Sequence, residues 1–228
     1  MLLAIDTSTN VPSIALFDER GIVGETTWRT HENHTRSLMP EVVRLMELVG
    51  TDVRALKAIG VATGPGSFTG LRIGLSAAKG LAYSLNVALI GVPTLDVAAS
   101  AVAGQGQPVC ALLQAGRERF GAAIYQTDAG TATRVGDYFF GTAQELAAEA
   151  RTRVRGAKQL ELIGEMSDAV RAEFSIAFGD FVVIAGEALN PRRAGFLAAL
   201  AWQRWRRGDV DDLQTLAPYY IPTPSVRI

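Results

Sequence analysis

The chain has 228 residues, of which 48% are apolar and 20% charged, and a formal net charge of −1. These values exclude a disordered chain and a strongly basic nucleic-acid binder, and the length suits two small domains. One cysteine, Cys110, excludes a disulfide scaffold and a cysteine zinc site, and any histidine chemistry must use His31 or His34.

The first elements read as a β-meander. Leu2–Ile5 is an apolar run ending in the polar loop Asp6-Thr7-Ser8; Val11–Phe17 and Ile22–Trp28 follow as strands around a turn at Asp18–Gly21. No basic segment precedes Met1–Ile5, and Asp6 interrupts it, so no export signal is expected. A helix is predicted next, with Ser37 as cap, Pro40 in its first turn and Gly50 as its stop. Its apolar stripe, Leu38, Met39, Val42, Val43, Leu45, Met46 and Val49, is wide. Ala58–Thr63 is a strand, and Gly64-Pro65-Gly66-Ser67-Phe68-Thr69-Gly70 a glycine-rich loop. It leads into a helix, Leu71–Leu85, rich in small residues. Val87–Ile90 is a strand and Thr94–Ala103 a helix.

Gly104–Pro108 punctuates the chain, and the order then repeats. Strands fall at Val109–Gln114, Phe120–Gln126 and Thr133–Phe140. A helix at Thr142–Arg151 carries the capping-box pair Thr142 and Glu145. Leu160–Gly164 is a strand, Asp168–Phe174 a helix and Phe181–Ile184 a strand. The helix at about 190–207 has Pro191 in first position. Three strands, helix, strand, helix, strand, helix thus occur twice, an internal duplication without sequence repeat. Lobes at 1–104 and 105–228 are expected, with the last helix packing back on the first lobe. The uncharged stretch between Asp96 and Arg117 is too polar in its middle to span a bilayer, so no membrane and a cytoplasmic location are expected.

Several residues invite chemistry, each with a structural alternative. Gly64, Gly66 and Gly70 fit neither the dinucleotide fingerprint nor the P-loop. With Ser67 and Thr69 they form either an anion loop at a helix start or a turn for close packing. Asp6, Thr7 and Ser8 suit a metal–phosphate complex or a loop satisfying its own backbone. His31 and His34 lack helical metal spacing and read mainly as solvent or capping histidines. Arg151, Arg153, Arg155 and Lys158, and Arg192, Arg193, Arg204, Arg206 and Arg207, are phosphate contacts or helix-end cations. The apolar faces of the helices near 37–49 and 70–85 are a thick core or an inter-chain bundle.

Five segments together resemble one family. They are Leu3–Ser8, His34 before Leu38-Met39-Pro40, Gly64–Gly74, Gly91-Val92-Pro93-Thr94-Leu95-Asp96, and Leu216–Ile221. The chain is similar to the TsaB (YeaZ) family, the non-catalytic bacterial partners in making threonylcarbamoyladenosine at adenosine 37 of tRNA. The likeness is strong over about residues 1–100 and collinear beyond. It implies an α/β, two-lobed actin/hexokinase/Hsp70-like (RNase H-like) fold. It implies pairing with and activation of the catalytic paralogue TsaD, a TsaE-type ATPase partner, tRNA bound through the complex, and a homodimer when alone. Catalytic relatives hold a metal with two histidines on a helix, and the corresponding stretch, Gly91–Ala99, has none. Gln114 departs from the Asp-Ala-Arg run that the resemblance implies there, and Phe181–Gly186 has one glycine, not a paired-glycine adenosine cradle. No catalytic residue, metal site or cofactor is therefore expected on this chain, with ATP/Mg and a metal ion on its partners. The expected partner surface is Leu38, Val42, Met46, Leu71, Leu75 and Ala78. Asp6, Thr7, Ser8, Gly64, Gly66, Ser67, Thr69 and Gly70 would be a vestigial phosphate loop. Alternatives are an active ATP-dependent enzyme of the same fold, a metallopeptidase of the glycoprotease label and an independent RNA-binding protein.

Overall fold

The computed structural model describes residues 1–29, 34–116 and 118–221. It contains two five-stranded sheets. β1 (Leu2–Asp6), β2 (Ser13–Asp18), β3 (Gly21–Thr27), β4 (Ala58–Gly64) and β5 (Ala88–Pro93) form the first, in the order β3-β2-β1-β4-β5. β6 (Val109–Gln114), β7 (Phe120–Asp128), β8 (Thr131–Gly141), β9 (Leu160–Gly164) and β10 (Val182–Ile184) form the second, in the order β8-β7-β6-β9-β10. In each sheet the first three strands pair antiparallel and the last two join in parallel. The duplication read from element order is therefore also a duplication of topology.

Strand periodicity assigns the layers. Leu3 and Ile5 face one side of the first sheet, where they pack with α1 (His34–Leu48) and α2 (Phe68–Leu85). Leu2 and Ala4 face the other side and pack with α6 (Ala194–Arg206). In the second sheet Cys110 and Leu112 pack toward α4 (Ala143–Arg153) and α5 (Asp168–Phe178). Val109, Ala111 and Leu113 pack toward α3 (Thr94–Ser100). Both faces of both sheets are covered, as parallel pairing requires. α3 and α6 form the middle layer and are exchanged. α3 precedes the second sheet in sequence yet packs on it, and α6 follows that sheet yet returns to the first. Gly60 on β4 makes the close approach of α6 possible, since a Cβ there would lie 2.8 Å from the Ala201 Cβ.

Local signals shaped most ends. Thr142 and Glu145 form the expected capping box at α4. Ser67 caps α2, accepting from the Gly70 amide, so that helix starts at Phe68 and not at Leu71. α1 differs more. It begins at His34, Pro40 lies inside it, and the Ser37 hydroxyl is buried without a partner and caps nothing. The proline forgoes one helical hydrogen bond. Burial of Leu38, Val42, Leu45 and Met46 against the sheet carries the helix through it. α6 starts at Ala194, not at Pro191, because the backbone is still extended at Arg193 (φ −82°, ψ 131°); residues 187–189 form a separate 3-10 turn. Beyond α6 the chain runs back over the first sheet as a strap. Asp211 pairs with Leu89, and the Tyr219 amide donates to the Thr63 carbonyl at 2.7 Å.

Candidate functional site

β1 and β4 deliver their C-terminal ends to the junction of the two sheets, where the polar loop and the glycine loop meet. The Ser67 amide donates to the Ser8 carbonyl at 2.8 Å, and the Thr7 hydroxyl donates to the Gly70 carbonyl at 2.7 Å. A Cβ at Gly70 would overlap the Thr7 carbonyl oxygen, and one at Gly66 would lie 2.7 Å from that of Ser8. The glycines thus allow the start of α2 to press against β1. Gly64 is buried in the same junction, while Thr69 points to solvent. Of the two readings of this loop, the geometry supports close packing: the Ser67 amide and the Gly70 amide already have partners inside the protein.

Asp6 is buried. Its Oδ1 accepts from the Ser8 amide at 2.8 Å and from the Ser8 hydroxyl. Its Oδ2 has no hydrogen bond and lies 3.8 Å from the Nε of Arg192, itself buried and without a hydrogen bond at that nitrogen. The Arg192 Nη2 donates to Glu165 Oε1 at 2.9 Å, and Glu165 Oε2 accepts from the Gln114 amide at 3.0 Å. Arg192, just ahead of α6, therefore stands between a carboxylate of the first sheet and one beside the second. This cluster does not fit a magnesium–phosphate group at Asp6. A divalent cation there would meet a buried guanidinium that already balances the carboxylate.

The remaining candidates are separated. His31 lies outside the described residues, and His34 is the first residue of α1. Among the described residues no group of three or more His, Cys, Asp or Glu could hold a metal ion, and no helix is long and apolar enough to cross a membrane. The arginines largely hold the fold together. Arg193 pairs with Glu25, Arg204 with Asp209 and Asp211, and Arg153 with Glu149.

The expected partner surface needs correction. Leu38, Val42, Met46, Leu71, Leu75 and Ala78 are all buried, none more than 7% exposed. They are the sheet-facing side of the two helices, because a wide apolar stripe serves the core first. Leu75→Arg or Ala78→Arg would therefore bury a charge in the core and not spare the monomer. The outward side carries Met39, 38% exposed, and Val43, 51% exposed, on α1. Between the helices runs a groove of about 460 Å³, lined by Leu38, Met39, Arg72, Ile73, Ser76 and Ala77.

Arg192→Met removes the cation that, among the described residues, pairs with the buried Asp6 and should destabilise the fold by about 3–5 kcal/mol. Adding Asp6→Asn should recover part of that loss; urea unfolding of the single and double variants checks it, and an unchanged midpoint for Arg192→Met would refute it. Asp96 on α3 gives a pH-dependent counterpart. It accepts from the Tyr125 hydroxyl at 2.7 Å, and burial raises its carboxyl above the ordinary value of 3.8, with that hydrogen bond and Arg134 opposing. A carboxyl raised on folding stabilises below its ordinary value, and that contribution is lost as pH climbs through the raised one. Asp96→Asn should flatten this part of the stability–pH curve above pH 3.8, measured by urea midpoints; a curve parallel to wild type would refute it.

A family model described as TsaD, tRNA N6-adenosine threonylcarbamoyltransferase, matches residues 11–224. The chain is 39% identical over 94 residues to the tRNA threonylcarbamoyladenosine biosynthesis protein TsaB of Escherichia coli K12. That match spans 41% of this chain and 40% of the relative, less than half of its length. The solved structure of YeaZ from Pseudomonas aeruginosa superimposes with a TM-score of 0.80 at 26% identity, covering 96% of this chain and 99% of the other. A ROK hexokinase from Thermus thermophilus shares the fold alone, at a TM-score of 0.52 and 12% identity, over 91% of this chain and 99% of that one. A two-lobed actin/hexokinase-like α/β chain, this protein belongs to the TsaD family, in its TsaB/YeaZ group.

Proposed function

We propose that this chain is a non-catalytic scaffold subunit in threonylcarbamoyladenosine modification of tRNA at adenosine 37, binding and activating the catalytic TsaD paralogue. The observation that carries the reading is the apolar groove between α1 and α2, flanked by the exposed Met39 and Val43. Apolar, partly open helix faces of this kind associate by excluding water from both partners. The buried Arg192–Asp6 pair supports the same reading, because the carboxylate already has an internal counter-charge where a bound divalent cation would otherwise be needed to balance it. ATP with magnesium, and a catalytic metal, then belong to partner subunits, including a TsaE-type ATPase. tRNA is engaged through the assembled complex, in the cytoplasm, and the same groove pairs two copies of this chain when the catalytic subunit is absent.

The test uses exposed positions, so that folding is preserved. Val43→Arg and Ser76→Arg each place a charge on the outward face. Each should weaken co-purification with the TsaD paralogue of the same cell by about tenfold or more, with an unchanged circular dichroism spectrum. Recovery of both variants at the wild-type level would overturn the assignment.

A further inference from the structure

A strip of aromatic rings and arginines crosses the mouth of the junction on the side of the terminal strap. Phe68, at the start of α2, packs on Tyr220 with ring centroids 4.9 Å apart. The next strap residue, Tyr219, packs on Tyr138 of β8 at 5.2 Å. An arginine sits at each end: the Arg72 guanidinium lies 3.8 Å from the Phe68 centroid, and that of Arg134 lies 4.3 Å from the Tyr138 centroid. Arg72 also donates through Nε to the Tyr220 hydroxyl at 2.9 Å. Phe68, Tyr219 and Tyr220 remain 53%, 41% and 39% exposed. At the Arg134 end of the strip lies a cavity of about 380 Å³, lined by Thr63, Pro93 and Tyr219 and by Arg134, Asp137 and Tyr138.

We propose that this strip is a stacking platform for a short single-stranded RNA segment, with one base received in the cavity against Tyr138 and Tyr219. Aromatic rings partly open to solvent, as Phe68, Tyr219 and Tyr220 are here, are what unpaired bases stack on, without regard to sequence. A guanidinium set over a ring keeps edge donors for a phosphate; Arg72 spends its Nε on the Tyr220 hydroxyl, and its Nη groups are the donors to a phosphate along the strip, with Arg134 beside the base itself. The strap is held for this purpose, through the Tyr219 amide bond to Thr63 and the Arg72–Tyr220 contact, so the rings are ordered before any ligand arrives. Two arginines, set against Asp137 in the lining and against the half-buried Asp96 whose charge reaches Arg134 and Tyr138, make a site of few phosphates, in keeping with a net charge of −1. The choice of RNA as the strand rests on the tRNA role proposed above; the stacking geometry does not.

Fluorescence anisotropy of a labelled oligouridine, titrated with the full chain at low salt, tests the strip. Wild type should bind saturably and more tightly than it binds duplex RNA of the same length. Arg134→Ala, and Tyr138→Leu, which keeps apolar bulk without the ring, should each weaken binding about fivefold or more. Both positions lie in the second lobe, away from α1 and α2, so both variants should still co-purify with the catalytic paralogue. Loss of wild-type co-purification with intact oligouridine binding would count against the scaffold reading and leave the strip standing. The strip is overturned if wild type shows no saturable binding, or if the variants bind as well as wild type. It is also overturned if they lose the catalytic paralogue while oligouridine binding is unchanged, which would make it a protein interface.

Discussion

Arg192 holds the two halves of the molecule in register. It meets Asp6 at the end of β1 and Glu165 just after β9, and α6 begins two residues later. Burying a guanidinium and a carboxylate is costly, and the pair is tolerated because each supplies the other's counter-charge. Breaking it would remove a large part of the roughly 5–15 kcal/mol that keeps a domain of this kind folded. The same pair decides the chemistry of the junction. At the end of β1 the buried carboxylate of Asp6 has a positive side chain of the protein itself beside it.

On the reading proposed above, the molecule's interactions lie on its outer surfaces. One is the outward side of α1 and α2, whose inward side is the first lobe's core. The other is the aromatic strip where the strap crosses from the first sheet to β8. The exchange of α3 and α6 ties the lobes together beneath both surfaces, since each lobe is packed by a helix from the other half of the chain. Arg72 touches both, lining the groove and stacking on Phe68, so the two surfaces adjoin.

Much of the fold was legible in the sequence because its signals are local. Apolar runs ending in Asp6 or Gly64, the Thr142–Glu145 box and the repeated order of elements follow from neighbouring residues alone. What escaped depends on contacts between distant segments. The stripe on α1 was visible, but which edge of it meets the sheet was not, so six core side chains passed for a surface. Arg192 resembled its neighbours in a basic cluster, since nothing near it in sequence reveals Asp6 or Glu165 as partners. Pro40 looked like a first-turn residue, whereas α1 begins at His34 and carries the proline inside it. The ring strip joins residues 68, 138, 219 and 220, whose separation hides it from any reading of local pattern.

Nucleotide binding by the isolated chain tests the central claim most directly. Isothermal titration of magnesium-ATP into the wild-type protein should show no saturable heat at nucleotide concentrations up to about 1 mM, a ceiling corresponding to a binding free energy of about −4 kcal/mol. A stoichiometric site in the micromolar range, lost on substitution of Asp6, would contradict the account: Arg192 would then have to yield its place to a cation, and the junction would be a working nucleotide site.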